Sequence, residues 1–357
     1  MNILVVGAGL AGCTCARLLA DHEHHVCLIE AKKEIGGICR DERDEEHNCF
    51  YHCFGPHLFH TNDEWVWNFA NRFTTMKEYR VQQKTYHHQK YLDFPLNLNS
   101  FEEIYHTPGI SEMKVKKLMG LKKRDTPPKN FEEAVIAEVG EDIYKQFFYE
   151  YTKKQWQRDC NTLPISFYKR IPVRFNRDPY LFSDQYQGLP DLGYTRMMEK
   201  MVSHKNIELY TEVSFEQFKD VDKYDLVIYT GGFSDLPYRS TLFIDAIERK
   251  SDYPLVNLPG HLCFTRKTDY TLMHPINADK KCYSHHVCYE LPQADNKYNQ
   301  LLPIPTEENL KKYDTVSKEF LRAHKNTLLI GRLATYQYLN MDQVIAQCST
   351  LLHPYCE

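Results

Sequence analysis

The segment Gly7-Ala8-Gly9-Leu10-Ala11-Gly12 follows a short apolar run, Asn2 to Val6, and opens a stretch, Ala11 to Leu19, whose apolar residues recur at helical spacing. A second apolar run, His25 to Glu30, closes on an acidic residue. A GxGxxG set between strand and helix, with an acid at the end of the next strand, is the fingerprint of a dinucleotide-binding turn. Gly7 permits the tight turn, Gly9 lets a pyrophosphate approach the backbone, and Gly12 brings helix and strand together. The helix start, at Leu10 and Ala11, offers unpaired N–H groups and the positive end of its dipole. Glu30, followed by Ala31, is placed to accept hydrogen bonds from an adenosine ribose. The turn alone does not separate FAD from NAD.

At 357 residues the chain has room for two or three domains. A formal charge of -4 gives no reason to expect nucleic-acid or bulk membrane binding, so any basic site must be local. No apolar stretch reaches the ~18 residues that would span a bilayer. Twelve scattered cysteines, with no signal peptide ahead of the first strand, fit reduced thiols in the cytoplasm better than a disulfide framework.

After Gly37 the pattern gives way to a Cys/His-rich loop, and from Asp63 to about Glu150 helical periodicity dominates, broken by Pro95, Pro108 and Pro127-Pro128. Ile207 to Tyr210, Leu226 to Tyr229 and Leu328 to Ile330 read as buried strands, the last leading into a closing helix from about Asp342. Strands recurring so late predict a discontinuous first domain. The expectation is an α/β chain in three parts: a Rossmann-like FAD-binding domain from 1–62, 195–235 and 322–357, a helical domain at 63–150, and a smaller mixed or antiparallel sheet on the substrate side from 151–194 and 236–321.

Ile35-Gly36-Gly37 resembles the second glycine pair of glutathione-reductase-like and amine-oxidase-like flavoproteins, which favours FAD. Four further segments narrow the family: Phe54-Gly55-Pro56-His57-Leu58-Phe59-His60-Thr61, Tyr151-Thr152-Lys153-Lys154-Gln155-Trp156, Lys169-Arg170-Ile171-Pro172-Val173-Arg174-Phe175 and Gly331-Arg332-Leu333-Ala334-Thr335-Tyr336-Gln337-Tyr338. In content, order and spacing they resemble signature segments of the bacterial UDP-galactopyranose mutases, and the resemblance runs over essentially the whole chain. It implies an isomerase in which reduced FAD attacks the anomeric carbon of a UDP-sugar through N5, UDP leaves, and the sugar recloses with the smaller ring. It also implies NAD(P)H or another reductant, and suggests a homodimer.

By the same resemblance Arg170 and Arg266 hold the leaving diphosphate, as bidentate guanidiniums can, with Asn257 on the nucleotide. Tyr151 and Trp156 wall the substrate and stack the uracil, with Phe147 and Phe148 one turn back, although aromatics at helical spacing commonly serve only as core. Tyr180 and Tyr186 are the substrate-side tyrosines before and within the Tyr-Gln-Gly segment. His57 and His60 lie beside the flavin, and Tyr338 meets the substrate phosphate. Arg332 neutralises the flavin, Val213 meets adenine through its backbone, and Gly231 lets the backbone approach the cofactor. Ile38, Leu58, Asn340 and Met341 complete the cofactor contacts.

The substrate side departs from the family. Thr230-Gly231-Gly232-Phe233-Ser234-Asp235 reaches Tyr238-Arg239 almost at once, a family Tyr-Tyr-Pro stands as Leu301-Leu302-Pro303, and Asn340 replaces an aspartate. A different nucleotide sugar, a non-catalytic binder and an amine-oxidase-like oxidoreductase therefore stay open. Two Cys/His clusters, one of His47, Cys49, His52, Cys53, His57 and His60 and one of Cys282, His285, His286 and Cys288, lack the paired spacing of a closed zinc site, and no metal is expected.

Overall fold

The computed structural model describes residues 1–121, 126–170, 173–274 and 282–356, with the side chains of Lys169 and Arg170 outside it. A five-stranded parallel sheet is ordered 207–211, 25–30, 2–6, 226–229, 327–329. Along its first strand Ile3 and Val5 enter one hydrophobic core while Leu4 and Val6 enter another, so both faces are covered. That is why this strand reads as an unbroken apolar run. The opening helix, Leu10–Asp21, and the closing helix, Met341–Leu352, pack on the same side.

Gly7 takes the turn at φ +96°, and a Cβ on Gly12 would stand 1.7 Å from the Gly7 carbonyl oxygen. Gly9 pairs with Gly36 in a parallel bridge, and a Cβ on Gly37 would lie 3.0 Å from the Gly9 Cα. The second glycine pair is therefore a packing requirement of the first.

A seven-stranded sheet runs 302–303, 238–249, 284–293, 266–269, 255–257, 83–87, 90–94, antiparallel except between 255–257 and 83–87. A three-stranded sheet, 59–61, 186–190 and 76–78, and a hairpin, 41–44 with 49–52, complete the β structure of the described residues. The stretch 63–150 expected to be helical thus contributes three strands, Met76–Glu78, Gln83–His87 and Lys90–Phe94, to two sheets. The inward residues of the second strand are Gln83 and Thr85, both polar, so no hydrophobic alternation announced it. Its turn is built on His88 and Gln89, which adopt φ of +45° and +63° without glycine. The Cys/His-rich loop likewise contains the 41–44 and 49–52 strands.

Replacing Gly12 with alanine should force the opening helix off the Gly7 turn. The unfolding free energy in urea is expected to drop by about 3 kcal/mol, the upper range for overpacking a close contact.

Candidate active site

A cavity of about 720 Å³ lies where three walls meet, a size proper to a small-molecule site. Ile38, Gly55, His57, Leu58 and His60 form one wall with Arg332, Tyr338, Asn340 and Met341. A second is helical: Phe147, Phe148, Tyr151, Thr152, Gln155 and Trp156. The third is the inner face of the seven-stranded sheet, carrying Gln83, Thr85, Arg239, Asn257, Arg266 and Glu290.

The helical wall owes its shape to a π-helical segment, Tyr144–Tyr149, set between α-helices 131–143 and 150–156. The wide turn brings adjacent residues, Phe147 and Phe148, onto the cavity together. Trp156 is stacked on Phe167, with centroids 4.3 Å apart, and the Arg239 guanidinium lies 5.6 Å from its ring.

Arg266 is paired with a buried acid whose charge also reaches Arg239. Arg266 Nη1 is 3.5 Å from Glu290 Oε1, and Glu290 is 3 % exposed. Arg266 Nη2 donates to the Tyr151 hydroxyl at 3.3 Å, which donates to Asn257 Oδ1 at 3.4 Å. Burial pulls both guanidiniums down. For Arg266 the Glu290 carboxylate and Tyr151 more than offset it, so its pKa is raised, whereas Arg239, also repelled by Arg266, stays below the ordinary value. The Nε of each is buried without a protein partner. Two cations near one carboxylate, with donors unspent, form a receptor for an anion. Arg239 and Glu290 were not singled out from the sequence: Tyr238-Arg239 was noted only as the end of a shortened loop, and Glu290 sits in an alternating strand like any other.

At the opposite wall Arg332 donates through Nε to the Leu339 carbonyl at 2.8 Å and lies over the Tyr338 ring. Burial and the Arg332 charge push His57 down to about 4. Its Nδ1 faces the Gly55 carbonyl at 2.7 Å. A carbonyl only accepts, so Nδ1 carries the proton and Nε2 is left as the acceptor. His60 Nδ1 bonds Asp184 Oδ2 at 2.9 Å while its ring stacks on Phe182. Asn340 caps the closing helix reciprocally with Gln343, and both residues line the cavity.

The residues of the opening turn fit a dinucleotide. Gly9 caps the opening helix without any side-chain hydrogen bond, so the first N–H groups are not spent on a cap. Glu30 stands beside the turn, its carboxylate accepting from Ala8 N at 2.7 Å and Lys32 N at 3.0 Å, with lone pairs to spare. The Val213 N–H is already given to the Glu30 carbonyl. At Gly231 a Cβ would stand 2.9 Å from the Tyr229 hydroxyl, so that glycine answers to its own neighbour.

Tyr180 and Tyr186 do not line the cavity. Tyr180 lies under the Arg80 guanidinium, 4.0 Å away, and Tyr186 pairs with Thr61 and stacks on Trp67. The Arg170 side chain, and Ile171 and Pro172 entirely, lie outside the described residues. The two Cys/His clusters meet in space. Asp44 Oδ2 accepts from His47 Nδ1 at 2.8 Å and from His286 Nδ1 at 2.7 Å, with Cys49 close by. The separations of Asp44 from the two imidazoles are those of hydrogen bonds, while His47 Nε2 is buried without a protein partner.

A family model described as UDP-galactopyranose mutase matches residues 146–338, and one for an NAD(P)-binding Rossmann-like domain matches 5–73. The chain is 33% identical over 366 residues to a dTDP-fucopyranose mutase of Escherichia coli, covering 97% of this chain and 96% of the relative. The chain belongs to the UDP-galactopyranose mutase family. A probable UDP-galactopyranose mutase of Klebsiella pneumoniae is 32% identical, covering 97% of this chain and 92% of that protein. The fold matches a crystal structure of reduced UDP-galactopyranose mutase at a TM-score of 0.75, with 15% identity, 99% of this chain and 96% of that one covered. Membership in the UDP-galactopyranose mutase family makes this an enzyme of the isomerase class. Among the described residues no helix is long and apolar enough to cross a membrane.

Burial also lowers His52 and pushes His274 to about 4, and both rings lie near His57 or one another. A histidine with a depressed native pKa binds its proton more readily unfolded, so stability should fall as pH drops from about 6.5 toward 4. His274 Nε2 donates to the Pro190 carbonyl. His274→Gln keeps that donor and should remove about 1.4 kcal/mol per pH unit from the slope, measured by urea unfolding across this window.

Proposed function

We propose that this protein interconverts the pyranose and furanose forms of a nucleotide-activated sugar on bound FAD, with UDP-galactose as the substrate. The observation that carries the reading is the group of half-buried Arg239 and Arg266 with buried Glu290, facing Tyr338 and Arg332 across one cavity. Bound FAD, when reduced, would supply the nucleophile for the anomeric carbon, and a nicotinamide or other reductant would prepare it. The glycine turn and Glu30 hold the adenosine and pyrophosphate end, while Ile38, His57, Leu58, Arg332, Asn340 and Met341 surround the reactive end.

Arg266 and Arg239 bind the diphosphate through donors that Glu290 leaves unspent. They stabilise the charge that grows as the nucleotide departs, in a cavity where water competes poorly. By the family resemblance Arg170 is a further candidate for the diphosphate. The Tyr338 hydroxyl meets the phosphate beside the sugar. Since Trp156 is engaged by Phe167 and Arg239, the nucleobase is left to Tyr151, Phe147 and Phe148, with Asn257 reading its edge. Neutral His57 offers Nε2 as a proton acceptor at the cofactor without adding charge.

A second reading has a specific support: the E. coli relative, 33% identical, is named for dTDP-fucopyranose. Fucose lacks the 6-hydroxyl of galactose, and the segment from Thr230 to Tyr238, which leads into Arg239 of the cavity, is shorter than in the family it resembles.

The test is anaerobic incubation of dithionite-reduced, flavin-loaded protein with UDP-galactose and dTDP-fucose in both ring forms, followed by chromatography. Conversion that needs the reduced flavin supports the proposal, and the larger kcat/KM names the sugar. Failure to convert either pair rejects it. Arg266→Gln or Arg239→Gln should lower kcat/KM by roughly 100-fold, the cost of removing one donor to a developing anion.

A further inference from the structure

Lys154 lies on the helix that supplies Tyr151, Thr152, Gln155 and Trp156 to the cavity, yet does not line it. Its ammonium reaches the turn joining strands 255–257 and 266–269. There it donates to the carbonyls of Leu258 at 2.7 Å, Gly260 at 2.7 Å, Leu262 at 2.8 Å and Phe264 at 3.0 Å. Every second carbonyl of the turn is aimed at one nitrogen. Burial lowers the Lys154 pKa to about 8, and the four acceptors work against that pull, since a neutral amine has two N–H groups and an ammonium three, with one bond shared.

The base of the turn is held by the Leu258 N–H on the Thr265 carbonyl and by Phe264 against Tyr289, but its tip has little else to fix its path. Residues 260–263 are exposed, Leu262 to 56 %, so apolar packing does not define it. At its feet stand Asn257 and Arg266, paired directly across the hairpin. Both are linked to the Tyr151 hydroxyl on the Lys154 helix. Helix and hairpin are thus joined at two places, one facing the cavity through weak contacts of 3.3 and 3.4 Å and one behind it through Lys154.

We infer that Lys154 is a positioning residue, whose ammonium fixes the 258–264 turn against the 150–156 helix and thereby sets Asn257 and Arg266 in register with Tyr151 for the nucleotide diphosphate. The inference rests on the substrate-side reading of Arg266 given above. Because Lys154 acts through the hairpin, its loss loosens substrate binding more than it slows the chemistry.

The experiment uses the full-length, flavin-loaded, reduced enzyme and reads KM and kcat for the nucleotide sugar it converts, together with the Kd for UDP. Lys154→Met should raise KM and Kd by about 30-fold and leave kcat within about threefold, as expected for a misplaced binding group. Lys154→Arg keeps the charge and the solubility of the parent, but a planar fork cannot converge on four carbonyls, so KM should rise by about 10-fold. In Lys154→Ala, methylammonium should recover part of the loss while tetramethylammonium at equal concentration, which has no N–H, should not. Parental KM and Kd in the Met and Arg variants would overturn the inference, as would a fall in kcat with KM unchanged, or equal effects of the two amines. If the Met variant does not fold, the Arg variant carries the same test. A parental Kd and KM in Arg266→Gln removes the reading of the site itself. A defect there with none in either Lys154 variant removes this inference alone.

Discussion

At the head of the parallel sheet the backbone passes itself at distances that no Cβ would allow. Gly12 sits on the Gly7 carbonyl, Gly37 on the Gly9 Cα, and a Cβ on Gly331 would lie 2.7 Å from the Ala11 methyl. Two other segments are thereby seated on the fingerprint turn, one carrying Glu30 and Ile38 and one carrying Arg332, Tyr338 and Asn340. The position of the cavity wall that faces the substrate side is set by those contacts before any polar side chain is placed.

The opposite wall answers a different constraint. A sheet normally turns apolar residues inward, but the one behind this cavity presents Gln83, Thr85, Asn257, Arg239, Arg266 and Glu290 to it. Such a face is tolerable only where it is paired or where a polar ligand fills the space. The Arg266 and Glu290 pair meets part of the cost, and the unspent Nε groups mark what is left for an anion.

The same reversal explains how far the sequence could be read. In the parallel sheet Asn2–Val6, His25–Glu30 and Leu226–Tyr229 were legible as apolar runs buried on both faces, whereas Ile207–Thr211, read as a buried strand, is a largely exposed edge strand and Thr327–Leu329 at the other edge is half-buried. The glycine turn was legible because its chemistry is carried by local spacing. The strand Gln83–His87 was not, since its buried positions are polar and its turn lacks glycine. Arg266, Asn257 and Trp156 were found through motif resemblance and do gather at one cavity. Arg239 and Glu290 escaped because their significance lies in a cross-strand neighbourhood that no short window contains. Tyr180 and Tyr186 were drawn elsewhere by Arg80 and Trp67, partners far away in sequence.

The order of the parallel sheet bears on how the chain matures. Asn2–Val6 is an interior strand whose first neighbour, His25–Glu30, follows at once, but its other neighbour is Leu226–Tyr229. During synthesis that edge, a row of unpaired N–H and C=O groups flanked by Ile3 to Val6, waits until residues beyond a typical domain length have emerged. The helices between residues 98 and 156 can collapse in the interval, since their contacts are close along the chain, whereas five strands of the seven-stranded sheet are made only after Leu226–Tyr229. Closure of the parallel sheet is then the slow, long-range step. Until it occurs the nascent chain carries an apolar strand with one open edge at its front.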